Sequence, residues 1–364
     1  MKKILFKTVV FLSVLSTLFV APRAERSDAV SLSDGACGTV AALSDELRVS
    51  SRIWELLRGN EEEKTVLIPG GTVFGARIKQ ANVVVADPGG VHSLKCGDKI
   101  ISIDGCDVNE IDDVFKVLNK CSGRELTLVF ERGSTRFDVK LTPKLIDNEY
   151  KLGIKLKDSA AGIGTITYID PATGLFGGLG HGICEPESGE VIEISGGTVT
   201  GVILGGTKRG EAGKPGELSG ILTDRSLGEV YANTPSGVFG KLNSIPTGTA
   251  TAVKIAKRTE VHTGKAQIYS TVKNGKTAKY DIEITEVDTS SHGTKCFKIR
   301  VTDPTLIALT GGIVRGMSGS PIIQDGKLVG AVTHVLVADP TEGYGIFIEN
   351  MLSAAQSQVQ PKAA

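Results

Sequence analysis

Gly316-Met317-Ser318-Gly319-Ser320-Pro321, near the C-terminus of a 364-residue chain, is the stretch on which the reading turns. An apolar, glycine-marked run precedes it (306–314), and a second apolar run follows it (322–332) with Asp325-Gly326 inside. Asp-Gly between two β-rich runs is a strong hairpin signal, so Ser318 sits on a tight glycine turn just before a strand. Glycines on both sides let the backbone take positive φ and aim two N–H groups at one point, as an oxyanion hole requires. A serine held there becomes a nucleophile if a histidine reaches it. The same six residues also suit a Gly/Ser turn that only closes a hairpin, so the rest of the chain has to decide.

The length suits two domains. Lys+Arg and Asp+Glu both number 41, so no global charge points to nucleic acid. With 45 glycines, few aromatics and many β-branched runs, the composition favours strands and turns over helices. The six cysteines are scattered and none forms a Cys-x-x-Cys pair, so no zinc site is expected and most read as small buried apolar residues.

At the N-terminus, Lys2 and Lys3 precede an apolar run broken only by Lys7. This is short for a spanning helix and typical of an export signal, with residues 1–24 as signal or membrane anchor. No small-x-small cleavage site stands out, because Pro22 and Arg23 follow the run directly, and the reading leans to a retained anchor. Residues 25–65 read as a polar linker with one short amphipathic helix carrying Trp54.

Residues 66–145 form the next unit. A first strand is interrupted by the loop Pro69-Gly70-Gly71-Thr72, and Val83-Val84-Val85 opens a second. Residues 94–105 give a Gly-Asp turn, an alternating strand and an Asp-Gly turn. Asn109 can cap a helix running to Asn119, and two closing strands span 125–131 and 137–141. The Leu-x-x-Gly-Asp-x-Ile-x-x-Ile-Asp-Gly pattern of 94–105 resembles a bacterial PDZ domain of the permuted kind found beside proteases. The resemblance implies a groove between the first strand and the helix, where a peptide adds as a strand with its carboxylate held by N–H groups of the loop Pro69-Gly70-Gly71-Thr72. A loop that is only a glycine turn is the other reading.

Residues 146–352 are a series of short β-rich runs, with no long helix before 348–356 and a tail at 353–364, and suit a pair of small barrels. Of five histidines, His92, His262 and His292 lie in unremarkable places, and His334 reads as a core residue on the strand after the serine turn. His181 is bracketed by Gly180 and Gly182, which expose it and allow close backbone approach. The order His181 then Ser318 matches chymotrypsin-type enzymes, whose two barrels supply base and nucleophile. The hexapeptide is similar to their Gly-Asp-Ser-Gly-Gly-Pro signature, with Met317 and Ser320 as departures. The G-x-S-x-G elbow of α/β-hydrolases is not met.

Together with Leu-Gly-His-Gly and residues 343–349, Gly-Tyr-Gly-Ile-Phe-Ile-Glu, these motifs resemble the SpoIVB peptidase family of endospore-forming bacteria. HtrA-type proteases carry the same two kinds of module in the opposite order. The resemblance implies a mainly β chain, a PDZ domain followed by a chymotrypsin-like double β-barrel serine protease domain, with no metal or organic cofactor. It implies Ser318 as nucleophile, His181 as general base, and the amides of Gly316 and Ser318 as oxyanion hole. For the orienting acid it points to Asp303, whereas Asp224 better fits a chymotrypsin-type order; either could instead cap a turn, as Asp303-Pro304 particularly suits. The implied role is in sporulation: export from the forespore into the intermembrane space, self-cleavage, then cleavage of a membrane-bound regulator that restrains an intramembrane protease, releasing processing of pro-sigma-K. The alternative is a non-catalytic peptide-sensing module with a protease-like fold.

Overall fold

The computed structural model describes residues 66–186, 188–246 and 251–359. The export segment, the linker helix and the last five residues of the tail expected from the sequence lie outside them, while residues 353–359 of that tail continue the final helix. No helix among the described residues is long and apolar enough to cross a membrane.

The chain enters through β1 (Val66–Pro69) and β2 (Val73–Asp87). Period-two alternation places Phe74, Ala76 and Ile78 inside and Arg77 and Lys79 outside. Beyond Gln80 the same strand continues into a second, separate core. There it meets β3 (Lys99–Ile103), β4 (Cys106–Asp107), α1 (Ile111–Leu118), β5 (Leu126–Arg132) and β6 (Thr135–Leu141). Val83, Val85, Ile100, Leu126 and Leu128 fill this core beneath the helix. The N-cap of α1 is Glu110, one residue later than the sequence suggested, because the Asp113 carboxylate accepts the amides of Asn109 and Glu110. A small hairpin of β7 (Lys144–Ile146) and β8 (Glu149–Lys151) follows. Then β9 (Lys155–Ile169) runs back antiparallel to β2 through both cores.

The remaining strands are β10 (Leu175–Gly178), β11 (Ile194–Lys208), β12 (Glu217–Thr234), β13 (Gly237–Leu242) and β14 (Val253–Lys254). The order β9-β10-β13-β12-β11-β2, closed by the β2–β9 pairing, makes a first six-stranded barrel. Phe74 packs edge-on against Phe176 inside it, ring centroids 5.6 Å apart. A second closed barrel is formed by β15 (Gly264–Lys273), β16 (Lys276–Val287), β17 (Phe297–Val301), β18 (Pro321–Gln324), β19 (Lys327–Leu336) and β20 (Asp339–Phe347). Helix α2 (Pro304–Thr310) leads into the serine turn, and α3 (Ile348–Val359) follows the last strand. The apolar run at 306–314 is thus partly a helix that the strand-rich pattern concealed.

The fold is mainly β, with a PDZ-like module and a double barrel, as the sequence implied. The arrangement differs in one respect. Residues 66–80 belong to the first barrel, and the PDZ-like module is inserted between β2 and β9 rather than placed ahead of the peptidase, so the boundary drawn at 145/146 cuts through it. The reason is that two long strands each serve both cores, with a register shift between Lys79 and Val84 where they pass from one to the other.

Candidate active site

The serine turn is built by local chemistry and then fastened to the other barrel. Gly316 and Gly319 take φ of +96° and +93°, a region costly for any residue with a side chain. The Met317 side chain is fully buried in the second barrel, and buried Ser320 donates its Oγ hydrogen to Ser270 Oγ at 3.1 Å. Both departures from the trypsin-like signature are therefore packing residues. Thr165 and Thr167 of β9 staple the turn: Thr165 N donates to the Ser318 carbonyl (3.0 Å), Thr165 Oγ1 to that of Gly316 (2.8 Å) and Thr167 Oγ1 to that of Gly319 (2.8 Å).

The same Thr165 holds the histidine loop, since its carbonyl accepts Leu179 N at 3.1 Å. Leu179 and Gly180 both have positive φ, at +66° and +67°, which turns the chain sharply out of β10. A Cβ on Gly180 would lie 2.9 Å from Thr333 Cγ2, one on Gly182 2.7 Å from the Thr234 carbonyl, and one on Gly319 would collide with the Thr165 carbonyl and the Leu179 amide. Gly180 and Gly319 let the two barrels approach closely, while Gly182 makes room within the first. The loops that carry the pair singled out in the sequence are thereby packed together.

His181 is largely enclosed, and its Nδ1 lies 2.9 Å from the Gly182 carbonyl. A carbonyl only accepts, so Nδ1 carries the proton and Nε2 keeps its lone pair, the tautomer a general base needs. Burial pushes the imidazole below its ordinary pKa, and the Gly182 carbonyl opposes this in part. The Ser318 hydroxyl donates to the Thr333 carbonyl at 3.0 Å, so in this arrangement it rests on a backbone acceptor beside the histidine. Among the described residues, the amides of Gly316 and Ser318 donate to no carbonyl or side chain, leaving both available to an oxyanion.

Neither aspartate reaches this pair. Asp303 caps α2, its Oδ1 accepting Leu306 N at 2.9 Å and its Oδ2 accepting Asp281 N at 3.3 Å. The carboxylate expected to orient His181 is thus engaged by backbone donors, in the capping role that Asp-Pro suggested. Asp224 is fully exposed on β12, 3.3 Å from Arg77. His181 Nδ1 faces a carbonyl, not a carboxylate.

Two residues that the sequence did not single out complete the surroundings. Asn233 accepts Ile183 N at 2.8 Å and donates to the carbonyls of Ile183 and Ile192, both at 2.8 Å, clamping the loop that follows His181. The His334 ring lies near that of His181, centroids 5.5 Å apart and planes tilted by 40°. The loop is also docked on the inserted module: Glu185 pairs with Lys157 of β9 at 2.8 Å and accepts Gln80 Nε2 at 2.9 Å. No signal in the sequence marks Asn233, whose partners are backbone groups about 50 positions away.

The loop Pro69-Gly70-Gly71-Thr72 is not a carboxylate cradle. The amides of Gly70 and Gly71 are spent on the carbonyls of Thr167 (2.9 Å) and Ile166 (2.8 Å), and the Gly71 carbonyl accepts Thr271 Oγ1 (2.8 Å) between the barrels. A free strand edge beside the helix lies elsewhere. Residues 155–158 of β9 pair only with β2 among the described residues, and their other edge runs beside α1, where Ile111 N donates to Asp158 Oδ2 at 3.3 Å. Leu152-Gly153-Ile154 leads into that edge, with Gly153 at φ +78°. A glycine between apolar residues at the head of a strand was the available signal. No group of His, Cys, Asp and Glu able to hold a metal occurs among the described residues.

Residues 148–352 match the family model described as SpoIVB peptidase S55. A protein of Brucella suis biovar 1 that carries the name zinc metalloprotease is 28% identical over 127 residues, 35% of this chain and 31% of its own length. The chain thus spans about a third of the length of the curated relatives it matches. Among solved structures, the PDZ domain of an SdrC-like protein from Listeria monocytogenes is 20% identical, covering 22% of this chain and 93% of that one, with a TM-score of 0.20. The Rv3671c protease of M. tuberculosis in its active form is 13% identical, covering 56% of this chain and 78% of that one, with a TM-score of 0.34. With the family match running over more than half of its length, from the hairpin at 148 to α3, the chain belongs to the SpoIVB peptidase S55 family.

Proposed function

We propose that this protein is a serine endopeptidase in which Ser318 attacks the scissile carbonyl and His181 Nε2 takes its proton. The observation that carries the reading is that Thr165 anchors both Ser318 and the loop bearing His181, while the Gly182 carbonyl favours the base tautomer of that histidine. Rotation about the Ser318 Cα–Cβ bond moves the hydroxyl from the Thr333 carbonyl toward the imidazole. The Ser318 and Gly316 amides then receive the negative charge that develops on the substrate oxygen. When the leaving amine departs, the imidazolium returns the proton to it. The two side chains act as a dyad oriented by backbone, with Asp303 as a helix cap.

In this reading the substrates are proteins: the chain itself, near its N-terminal region, and a membrane-bound regulator of an intramembrane protease acting on pro-sigma-K. Family membership and the export-type N-terminus support this, with action in the space outside the forespore membrane. The PDZ-like module takes a peptide along residues 155–158 of β9 beside α1, and the Lys157–Glu185 pair gives its occupancy a route to the His181 loop.

A fluorophosphonate probe tests the core of the proposal. Labelling of the wild type that vanishes in Ser318→Ala and falls steeply in His181→Ala is expected. A folded wild type that stays unlabelled, including after removal of its N-terminal segment, would leave a non-catalytic peptide sensor as the better reading.

A further inference from the structure

His334 sits on β19, directly after the residue whose carbonyl holds the Ser318 hydroxyl. Thr333 is itself fixed, its Oγ1 2.8 Å from the Thr294 carbonyl and 3.1 Å from that of Tyr344. One dipeptide therefore borders both reacting side chains: Thr333 holds the serine, and the His334 ring lies 5.5 Å from that of His181 with a tilt of 40°. The Nδ1 of His334 is buried and makes no hydrogen bond. A buried ring nitrogen without a partner is uncommon enough to need a reason. At this centroid spacing, nitrogens turned toward each other stand about 3 Å apart, within hydrogen-bond reach. No carboxylate bonds either ring among the described residues.

Resting on the serine-peptidase reading above, we propose that His334 is a positioning residue for the base: when the His181 N–H leaves the Gly182 carbonyl, the bare Nδ1 of His334 accepts it. The ring of His181 is then held with its free nitrogen toward Ser318. During attack the Ser318 proton passes to His181 Nε2, while the Nδ1 proton stays on His181, shared with His334. His334 neither gains nor loses a proton, and it stabilises the imidazolium as an oriented neutral acceptor.

This role requires His334 to stay neutral while His181 works. Burial lowers its pKa to about 4, with His181 and Lys295 adding to the depression. The groups facing it are His181 from the loop after β10, Lys295 ahead of β17, and Tyr344, its cross-strand neighbour on β20, whose ring lies 5.3 Å from the Lys295 ammonium. None of these offers a negative charge that would draw a proton onto His334 in the neutral range.

The test measures second-order labelling by a fluorophosphonate from pH 4 to 8 in wild type, Ser318→Ala, His334→Leu and His334→Asn. His334→Leu should slow labelling about 10- to 100-fold, part of what a general base supplies, and move the acid limb to lower pH because the imidazolium has lost its acceptor. His334→Asn, which keeps an oxygen where Nδ1 stood, should recover most of the rate and the position of the limb. Wild-type rate and limb in His334→Leu overturn the inference. Equal slowing of both variants with an unmoved limb also overturns it, because that is the signature of a packing role. If circular dichroism shows His334→Leu unfolded, His334→Asn decides alone by the same two readouts. An unlabelled wild type, or labelling that persists in Ser318→Ala, refutes the peptidase reading itself and is recognised by that control.

Discussion

Asp303→Asn separates a helix cap from a catalytic acid. In the structure, Oδ1 accepts Leu306 N at 2.9 Å and Oδ2 accepts the more distant Asp281 N at 3.3 Å. Asparagine keeps an oxygen at the first position and caps helices about as well as aspartate, so the α2 cap survives. The second contact is lost, and a single long hydrogen bond is worth about 0.5–1 kcal/mol. The variant should therefore unfold with a urea midpoint shifted by no more than that. At a temperature well below its melting point its kcat/KM on a peptide substrate should stay within about threefold of wild type, since that much destabilisation leaves the folded fraction near one. Asp303→Ala removes the cap and should cost about 1 kcal/mol, again with little effect on turnover of the folded protein. A triad acid behaves otherwise: its amide costs about 10⁴ in kcat, roughly 5 kcal/mol of transition-state stabilisation. A thousand-fold or greater loss in Asp303→Asn with an unchanged urea midpoint would refute the dyad and bring that carboxylate onto His181 in the working enzyme.

Because burial depresses the His181 pKa, the acid limb of kcat/KM should fall below the ordinary imidazole value near 6.5, as a pH–rate profile on a peptide substrate will show. Stability has the matching sign. His334 titrates near 4 when folded and near 6.5 when unfolded, so the unfolded chain binds more protons between these values. The contribution is complete above about pH 6.5 and is lost as the pH falls toward about 4; a flatter melting-temperature profile in His334→Leu across that window is the check. Asn233→Ala removes three 2.8 Å hydrogen bonds from the loop after His181 and should destabilise by about 2–3 kcal/mol, with faster proteolysis inside 181–193 than in wild type. Gly319→Ala drives a Cβ into the Thr165 carbonyl at φ +93° and should cost about 3 kcal/mol or more, read as a lower urea midpoint, together with most of the labelling at Ser318.

His181 and Ser318 were legible because glycines flank both, and glycine is required where one backbone must approach another. The strands were legible because their alternation is local. The inserted module was not, since the polar stretches where β2 and β9 pass from one core to the next, around Gln80 and Ser159, read as a break between separate strands, whereas each strand runs on unbroken. Pro69-Gly70-Gly71-Thr72 misled for the same reason: a glycine loop before a strand looks alike whether its amides face a ligand or the carbonyls of Ile166 and Thr167. Leu152-Gly153-Ile154 carried an equal signal and lies beside the helix. Asp303-Pro304 read correctly as a cap on its own chemistry, and only resemblance drew it toward the histidine. Asn233 and His334 act through partners that no sequence window contains.

Where a plain barrel hairpin would need a few turn residues, this chain makes an excursion from Gln80 to Ser159 and returns in register. The excursion leaves and re-enters on strands that pair with each other on both sides of the crossing, Lys79 with Ser159 and Val84 with Lys157, rather than on two loose tethers. One of them, β9, runs on to carry Thr165. The same geometry makes it excisable: joining the two strands by a short Asn-Gly turn should yield a barrel pair that still folds, deaf to whatever the module hears.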